Sequence, residues 1–173
     1  FYAGQGLKDG FKAKVLGAVS AALHVHLLAE HYGVCVVLHT DHANKGLIPW
    51  VEALLDHGEA YFKQHGKPLF SSHMLDLSED PMEFNLSECA RILTRMAPLN
   101  MSLEIELGVT GGEEDGIGHG EHDASADNSH LYTQPEDVLQ AYERLSPIGH
   151  FSVAASFGNV HGVYKPGNVQ LRP

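Results

Sequence analysis

Two cysteines in 173 residues, Cys35 and Cys89, are too few for the disulfide framework of a small secreted scaffold. Cys35 opens an apolar run and Cys89 falls in a helical pattern, so each is expected to be a small buried hydrophobe. Positive charge is scarce too: 11 Lys and Arg stand against 22 Asp and Glu, a formal charge of -11 with His neutral. No basic cluster interrupts that balance, so neither nucleic acid nor an anionic membrane surface is the expected partner. No apolar run approaches the ~18 residues that cross a bilayer, and no signal peptide is recognisable. These absences lead to the expectation of a soluble, cytoplasmic protein. HExxH and CxxC spacings are missing as well, so no short metal motif announces itself.

What the chain does have is histidine, 13 in all. His24, His31, His57 and His65 sit on expected helix surfaces and read as solvated. The informative ones close apolar strands. Cys35 to Thr40 reads as a buried strand ending in Asp41-His42. Residues 68–74 form a second strand, with His73 and then Asp76 at its end. Residues 101–107 alternate strictly, Leu103, Ile105 and Leu107 on one face and Glu104 and Glu106 on the other. Residues 150–156 form a fourth strand, followed by Phe157 to Lys165 with His161.

Between the strands the period changes to that of helices. One helix spans 11–30 and stops at Tyr32-Gly33; another runs from Pro49 to near Gly66. Asp80 is the expected cap of a third, with Pro81 first and Glu83 after it, reaching about Ala97. Thr133 to Glu136 reads as a capping box opening a helix through Leu145. Strand and helix alternating about every 33 residues means parallel strands joined by right-handed crossovers. A doubly wound sheet and an eight-stranded barrel both satisfy this, and two carboxylates turned into the interior favour the barrel. A whole barrel takes ~250 residues, so residues 1–173 would be one incomplete domain. Phe1 in place of an initiator Met, and an end at Pro173 just after a new apolar run, suggest that both termini are cut.

Asp41/His42, His73/Asp76, Glu104/Glu106 and His161 thus lie at the ends of four strands. Imidazoles and carboxylates converging from separate strand ends suit a catalytic metal such as Zn²⁺. The glycine-rich, acidic stretch 108–130 exceeds a passive connection and reads as a mobile active-site loop delivering a carboxylate. Small residues around Gly158 and Gly162 would let backbone N–H groups approach an anion.

These segments resemble one family. Leu38-His39-Thr40-Asp41-His42 with Leu47-Ile48-Pro49-Trp50, Lys67 to Met74, Leu103 to Gly108, Thr110 to Gly116, Leu131 to Asp137 and Ala154 to Asn168 are similar to the class II fructose-bisphosphate aldolases, class IIA branch. The resemblance implies a zinc-dependent TIM (β/α)₈ barrel, of which this chain would hold about strands 3 to 6. It implies reversible cleavage of fructose 1,6-bisphosphate to dihydroxyacetone phosphate and glyceraldehyde 3-phosphate in glycolysis and gluconeogenesis, by a homodimer. By position, His42 and His161 resemble zinc ligands, and Asp76 and Glu106 the carboxylates of a second divalent position. Asp41 resembles the acid/base at the C4 hydroxyl, and Glu114 the base at the enediolate carbon. Gly162 and Lys165 resemble phosphate contacts, with Val160 and Gly162 near a monovalent cation, Na⁺ or K⁺.

Activity would fall on acidification as His42 and His161 protonate. The family's third zinc histidine lies in a His-Gly-Gly-Ser motif that this chain does not contain, so the chain alone is expected to be inactive. Ala43 stands where the family usually has Cys, and Gly118 to Asn128 runs longer than in many relatives. A zinc hydrolase using Asp41 on the same scaffold, and a non-catalytic metal-binding or dimer-forming fragment, are the alternatives. A tagatose bisphosphate preference is disfavoured by the Gly-Gly-Glu-Glu loop.

Overall fold

The computed structural model describes residues 5–114, 117, 118, 131–161 and 171. Helix α1 spans Gly10–Tyr32, opened by the Asp9 carboxylate, which accepts the Lys12 N–H at 3.0 Å. It stops at Gly33, whose φ of 64° is the left-handed conformation that only glycine adopts without strain. Helix α2, Ile48–His65, carries Pro49 in its first turn, where a missing N–H costs nothing, and stops at Gly66. Its Val51, Leu54 and Leu55 are fully buried. Helix α3 is Met82–Met96 and helix α4 is Pro135–Leu145.

Four strands alternate with these helices: β1 His39–Ala43, β2 Ser72–Leu75, β3 Ser102–Leu107 and β6 Phe151–Ala155. All three pairings between them are parallel, and the order across the sheet is the order along the chain. A doubly wound sheet reverses its order at a switch point. This one does not, which is the arrangement of an arc of a barrel. Strand β3 obeys the alternation of its sequence. Leu103, Ile105 and Leu107 are buried under the helices, each worth about 1.5–3 kcal/mol. Register then puts Leu75 and Ala43 in that helix-facing layer, with Ser72, Met74, Glu104 and Ser152 on the opposite, inner face.

Several expectations need correction. The first strand begins at His39, not Cys35: Val36 and Val37 are 44% and 72% exposed and Cys35 is exposed as well. β-prone composition alone does not make these residues part of the strand. Cys89 is buried as expected; its S–H donates to Asn85 Oδ1, and burial pushes the thiol up to about 12. Asp80 does not cap α3, because its carboxylate accepts Lys45 Nζ at 2.7 Å instead. The capping box of α4 is Gln134 with Asp137, one residue later than expected. The hydroxyl of Thr133 is engaged elsewhere, donating to the Leu107 carbonyl and accepting the Ser156 N–H at 2.8 Å.

By length and composition, α1 is also apolar enough to cross a membrane, although no uninterrupted apolar run exists in it. Its Ala and Gly residues keep its average apolar where its His and Lys break the run. Part of stretch 108–130 is regular: β4 Gly111–Glu114 pairs antiparallel with β5 Ile117–Gly118 and parallel with β7 Val160–His161.

Candidate metal centre

The site grows from an irregularity in β1. In a regular strand Asp41 and His42 would point to opposite faces. Here the register to β2 slips between Thr40 and Ala43: Thr40 faces His73, while Ala43, three residues on, faces Leu75 only two residues on. The extra residue is a β-bulge, and His42 takes up the irregularity with a φ of 41°, in the left-handed region. Thr40 and Ala43 stay in the buried layer, and both residues between them are turned to the inner face. The Asp41 carboxylate consequently lies 3.9 Å from His42 Nε2.

Across the bulge, Asp76 follows β2 directly. Its backbone N–H donates to the Ala43 carbonyl at 3.0 Å. Its Oδ1 accepts the Ser78 hydroxyl and N–H at 2.8 and 3.3 Å, leaving Oδ2 at 3.1 Å from His42 Nδ1. Burial alone would raise the pKa of this carboxyl, but the hydrogen bonds from His42 and Ser78 outweigh it and hold the pKa below the usual value. Glu106, on the inner face of β3, brings Oε2 to 3.4 Å from the same His42 Nδ1, with its side chain 6% exposed. Its position is fixed from behind by the buried Asn85, whose amide donates to the Glu106 carbonyl at 3.1 Å.

His42, Asp76 and Glu106 each offer a ligand atom, and these atoms all lie within 4.8 Å of one another. One nitrogen and two carboxylate oxygens at that spacing fit a divalent cation, which would balance two carboxylates in a partly buried site. The donor set also admits a related arrangement. Carboxylates only accept, so Nδ1 carries the proton toward Asp76 and Nε2 carries the lone pair. A carboxylate holding one imidazole nitrogen commonly orients the other for a metal.

Three expected strand ends therefore do meet: Asp41 with His42, Asp76, and Glu104 with Glu106. His73 does not join them. It faces the helices, 0% exposed, with Nδ1 2.7 Å from Thr40 Oγ1 and its ring against Phe70. Parity explains the error, since His73 pairs with Leu103, not with Glu104. His161 lies in β7, where its backbone pairs with Gly112, and Glu114 closes β4. The side chains of Val160, His161 and Glu114, and the whole of Gly162 and Lys165, lie outside the described residues. Sequence reasoning passed over His39 and Ser72, which pair with each other on the inner face. The signal available was position: His39 stands two residues before Asp41 on the same strand.

Residues 5–173 match the family described as "Fructose-bisphosphate aldolase class-II". The chain is 57% identical over 176 residues to a fructose-bisphosphate aldolase of Haemophilus influenzae, covering all of this chain and 48% of that protein. It is 59% identical over 176 residues to the class 2 fructose-bisphosphate aldolase of Escherichia coli K12, with the same coverage of 100% and 48%. Among solved structures, the fructose-bisphosphate aldolase of Campylobacter jejuni superposes with a TM-score of 0.78 at 56% identity, over 99% of this chain and 46% of that one. The chain spans about half the length of the curated relatives it matches. Its parallel sheet is accordingly an incomplete TIM (β/α)₈ barrel.

Proposed function

The chain belongs to the class II fructose-bisphosphate aldolase family, and from that premise we propose that the complete protein is a zinc-dependent lyase. It cleaves fructose 1,6-bisphosphate reversibly to dihydroxyacetone phosphate and glyceraldehyde 3-phosphate, in glycolysis and gluconeogenesis. The observation that carries this reading is the oriented imidazole of His42, held at Nδ1 by Asp76 at 3.1 Å and Glu106 at 3.4 Å, beside the carboxylate of Asp41.

In this reading His42 and His161 hold the catalytic Zn²⁺, and Asp76 and Glu106 serve a second divalent position when it is filled. Bound Zn²⁺ supplies Lewis-acid polarisation of the substrate's ketone oxygen, worth several kcal/mol of charge stabilisation. The protein's own groups move the protons. Asp41, on the inner face with its carboxylate 3.9 Å from His42 Nε2, takes the proton of the C4 hydroxyl as the C3–C4 bond breaks. The electron pair of that bond passes to the C3 side, leaving the triose enediolate. Glu114 returns a proton to its carbon. Gly162 and Lys165 bind substrate phosphate, and Val160 and Gly162 lie near Na⁺ or K⁺. The working form is a cytoplasmic homodimer whose partners are sugar bisphosphate and triose phosphates.

The test is incubation of the full-length protein with fructose 1,6-bisphosphate, with and without chelator. Triose phosphate should form, stop on chelation and return with Zn²⁺. Triose phosphate formation that survives chelation, or none from metal-loaded protein, overturns the reading.

A further inference from the structure

Outside the three-donor group, the inner face holds a second set of polar side chains. His39 Nδ1 is 2.8 Å from the hydroxyl of Ser72, its partner in register on β2. His39 Nε2 points the other way, 3.4 Å from Glu104 Oε2 and 3.8 Å from Asp41 Oδ1. The imidazole thus lies within ion-pair reach of two carboxylates on different strands. Three elements set this arrangement. His39 and Asp41 share a face because they are two apart on β1 before the bulge. Ser72 sits beside His39 on β2, and Glu104 reaches in from β3.

The chemistry of the partners determines the proton. Ionised Glu104 and Asp41 can only accept, so the tautomer that suits them carries the hydrogen on Nε2. Nδ1 of the neutral ring is then an acceptor, and the Ser72 hydroxyl donates to it. The Ser72 contact at 2.8 Å then holds the plane of the ring. The result is a single N–H turned toward two like charges, 3.4 and 3.8 Å from Nε2.

We propose that His39 is a positioning residue for Asp41: its ring, hydrogen-bonded to Ser72 at 2.8 Å and 3.4 Å from Glu104, turns Nε2 toward the Asp41 carboxylate at 3.8 Å and draws it electrostatically into place for proton transfer. This rests on the aldolase reading for its kinetic consequence but not for its structural one. An aspartate side chain has several staggered rotamers open to it. Holding it in one of them raises the fraction of encounters with a correctly placed base. Glu104 in turn keeps the ring from rotating toward Asp41 alone.

The experiment uses full-length, zinc-loaded protein with His39→Ala, His39→Gln, His39→Asn and Ser72→Ala. A glutamine amide can place its N–H where Nε2 was, whereas an asparagine amide reaches only the Nδ1 position. His39→Ala should lower kcat about 10- to 100-fold with KM within about threefold, and bound zinc should equal that of the parent. His39→Gln should recover most of the loss, and His39→Asn little of it. An unimpaired His39→Ala, equal recovery by both amides, or loss of zinc in His39→Ala would each overturn the proposal. A parent that does not cleave fructose 1,6-bisphosphate sinks the aldolase reading instead, and the inference is then decided by ¹⁵N NMR of the His39 ring. That spectrum should show the Nε2–H tautomer, with the tautomer balance disturbed in Ser72→Ala; an Nδ1–H ring in the parent overturns it.

Discussion

The two faces of the same strands carry opposite chemistry. On the inner face, His39, Asp41, Glu104 and Glu106 are polar side chains set beside one another. On the helix-facing side, Thr40, His73, Leu75, Leu103, Ile105 and Leu107 are buried among aliphatic neighbours. Each face holds a histidine on its strands, and the contrast is sharpest there. His42 meets two carboxylates; His73 meets a threonine hydroxyl and a phenylalanine ring, with Nε2 lacking a partner among the described residues. Residue type therefore does not decide what a histidine does in this sheet. Strand parity does, and the bulge at His42 lets two sequence neighbours onto the same face.

The strongest way to break that comparison is to remove one polar group from each face. Asp41→Asn in the full-length enzyme should lower kcat by about 10²- to 10⁴-fold, the usual contribution of a positioned acid/base. Its melting temperature should stay within a degree or two of the parent, since asparagine is nearly isosteric with aspartate. A steady-state assay alongside thermal unfolding checks both halves. His73→Ala should do the reverse. Deleting a fully buried ring leaves a cavity and an unpaired Thr40 hydroxyl, a loss of about 3–5 kcal/mol. The folded fraction should keep a kcat near that of the parent. Denaturant unfolding gives the first number and active-site titration the second; a large fall in kcat for His73→Ala would mean that the faces are not separable.

How far the sequence carried this picture differs by element. Strand β3 was fully legible, because Leu103 to Leu107 alternate without interruption and an uninterrupted pleat has only one reading. The helices were legible to within a residue or two for the same reason, with Gly33 and Gly66 marking their ends. Asp41 and His42 were legible as a polar strand end but not as a pair on one face, since a bulge is a property of register between two strands. His73 was misplaced by the same gap: its parity depends on pairing with Thr40 and Leu103, which no local pattern reports. The role of Thr133 was hidden because a capping box and a tertiary hydrogen bond compete for one hydroxyl, and the contacts to Leu107 and Ser156 won. The aldolase resemblance supplied the metal and substrate; the geometry of strand and bulge accounts for how three of its residues come together.

Acid should separate the faces by a smaller, graded effect. Burial first, and the nearby His39 second, lower the pKa of His73 to about 3 from an ordinary 6.5. The unfolded chain takes up a proton below about pH 6.5 that the folded chain refuses, so this position adds nothing above that pH. Between about pH 6.5 and 3 it should cost up to about 1.4 kcal/mol of stability per pH unit. Urea unfolding of the full-length protein across that window should show the slope. The double substitution Thr40→Val with His73→Leu has no buried imidazole and should lack this component; an unchanged slope would place the acid sensitivity elsewhere.

That same pair offers the finest test, because Thr40 lies between His39 and Asp41 in sequence yet on the opposite face. Thr40→Val alone removes the hydroxyl at 2.7 Å from His73 Nδ1 and leaves a buried imidazole with no partner at that nitrogen. The expected cost is about 1–3 kcal/mol. Replacing both partners with apolar groups of similar shape removes the unsatisfied group as well as the hydrogen bond. The double variant should therefore return to within about 1 kcal/mol of the parent near neutral pH. A double-mutant cycle by urea unfolding measures the coupling. In every one of these variants kcat should stay within about twofold of the parent, since neither side chain reaches the inner face. If Thr40→Val lowered kcat as Asp41→Asn does, alternation along β1 would have failed as the rule that assigns chemistry to one face and packing to the other.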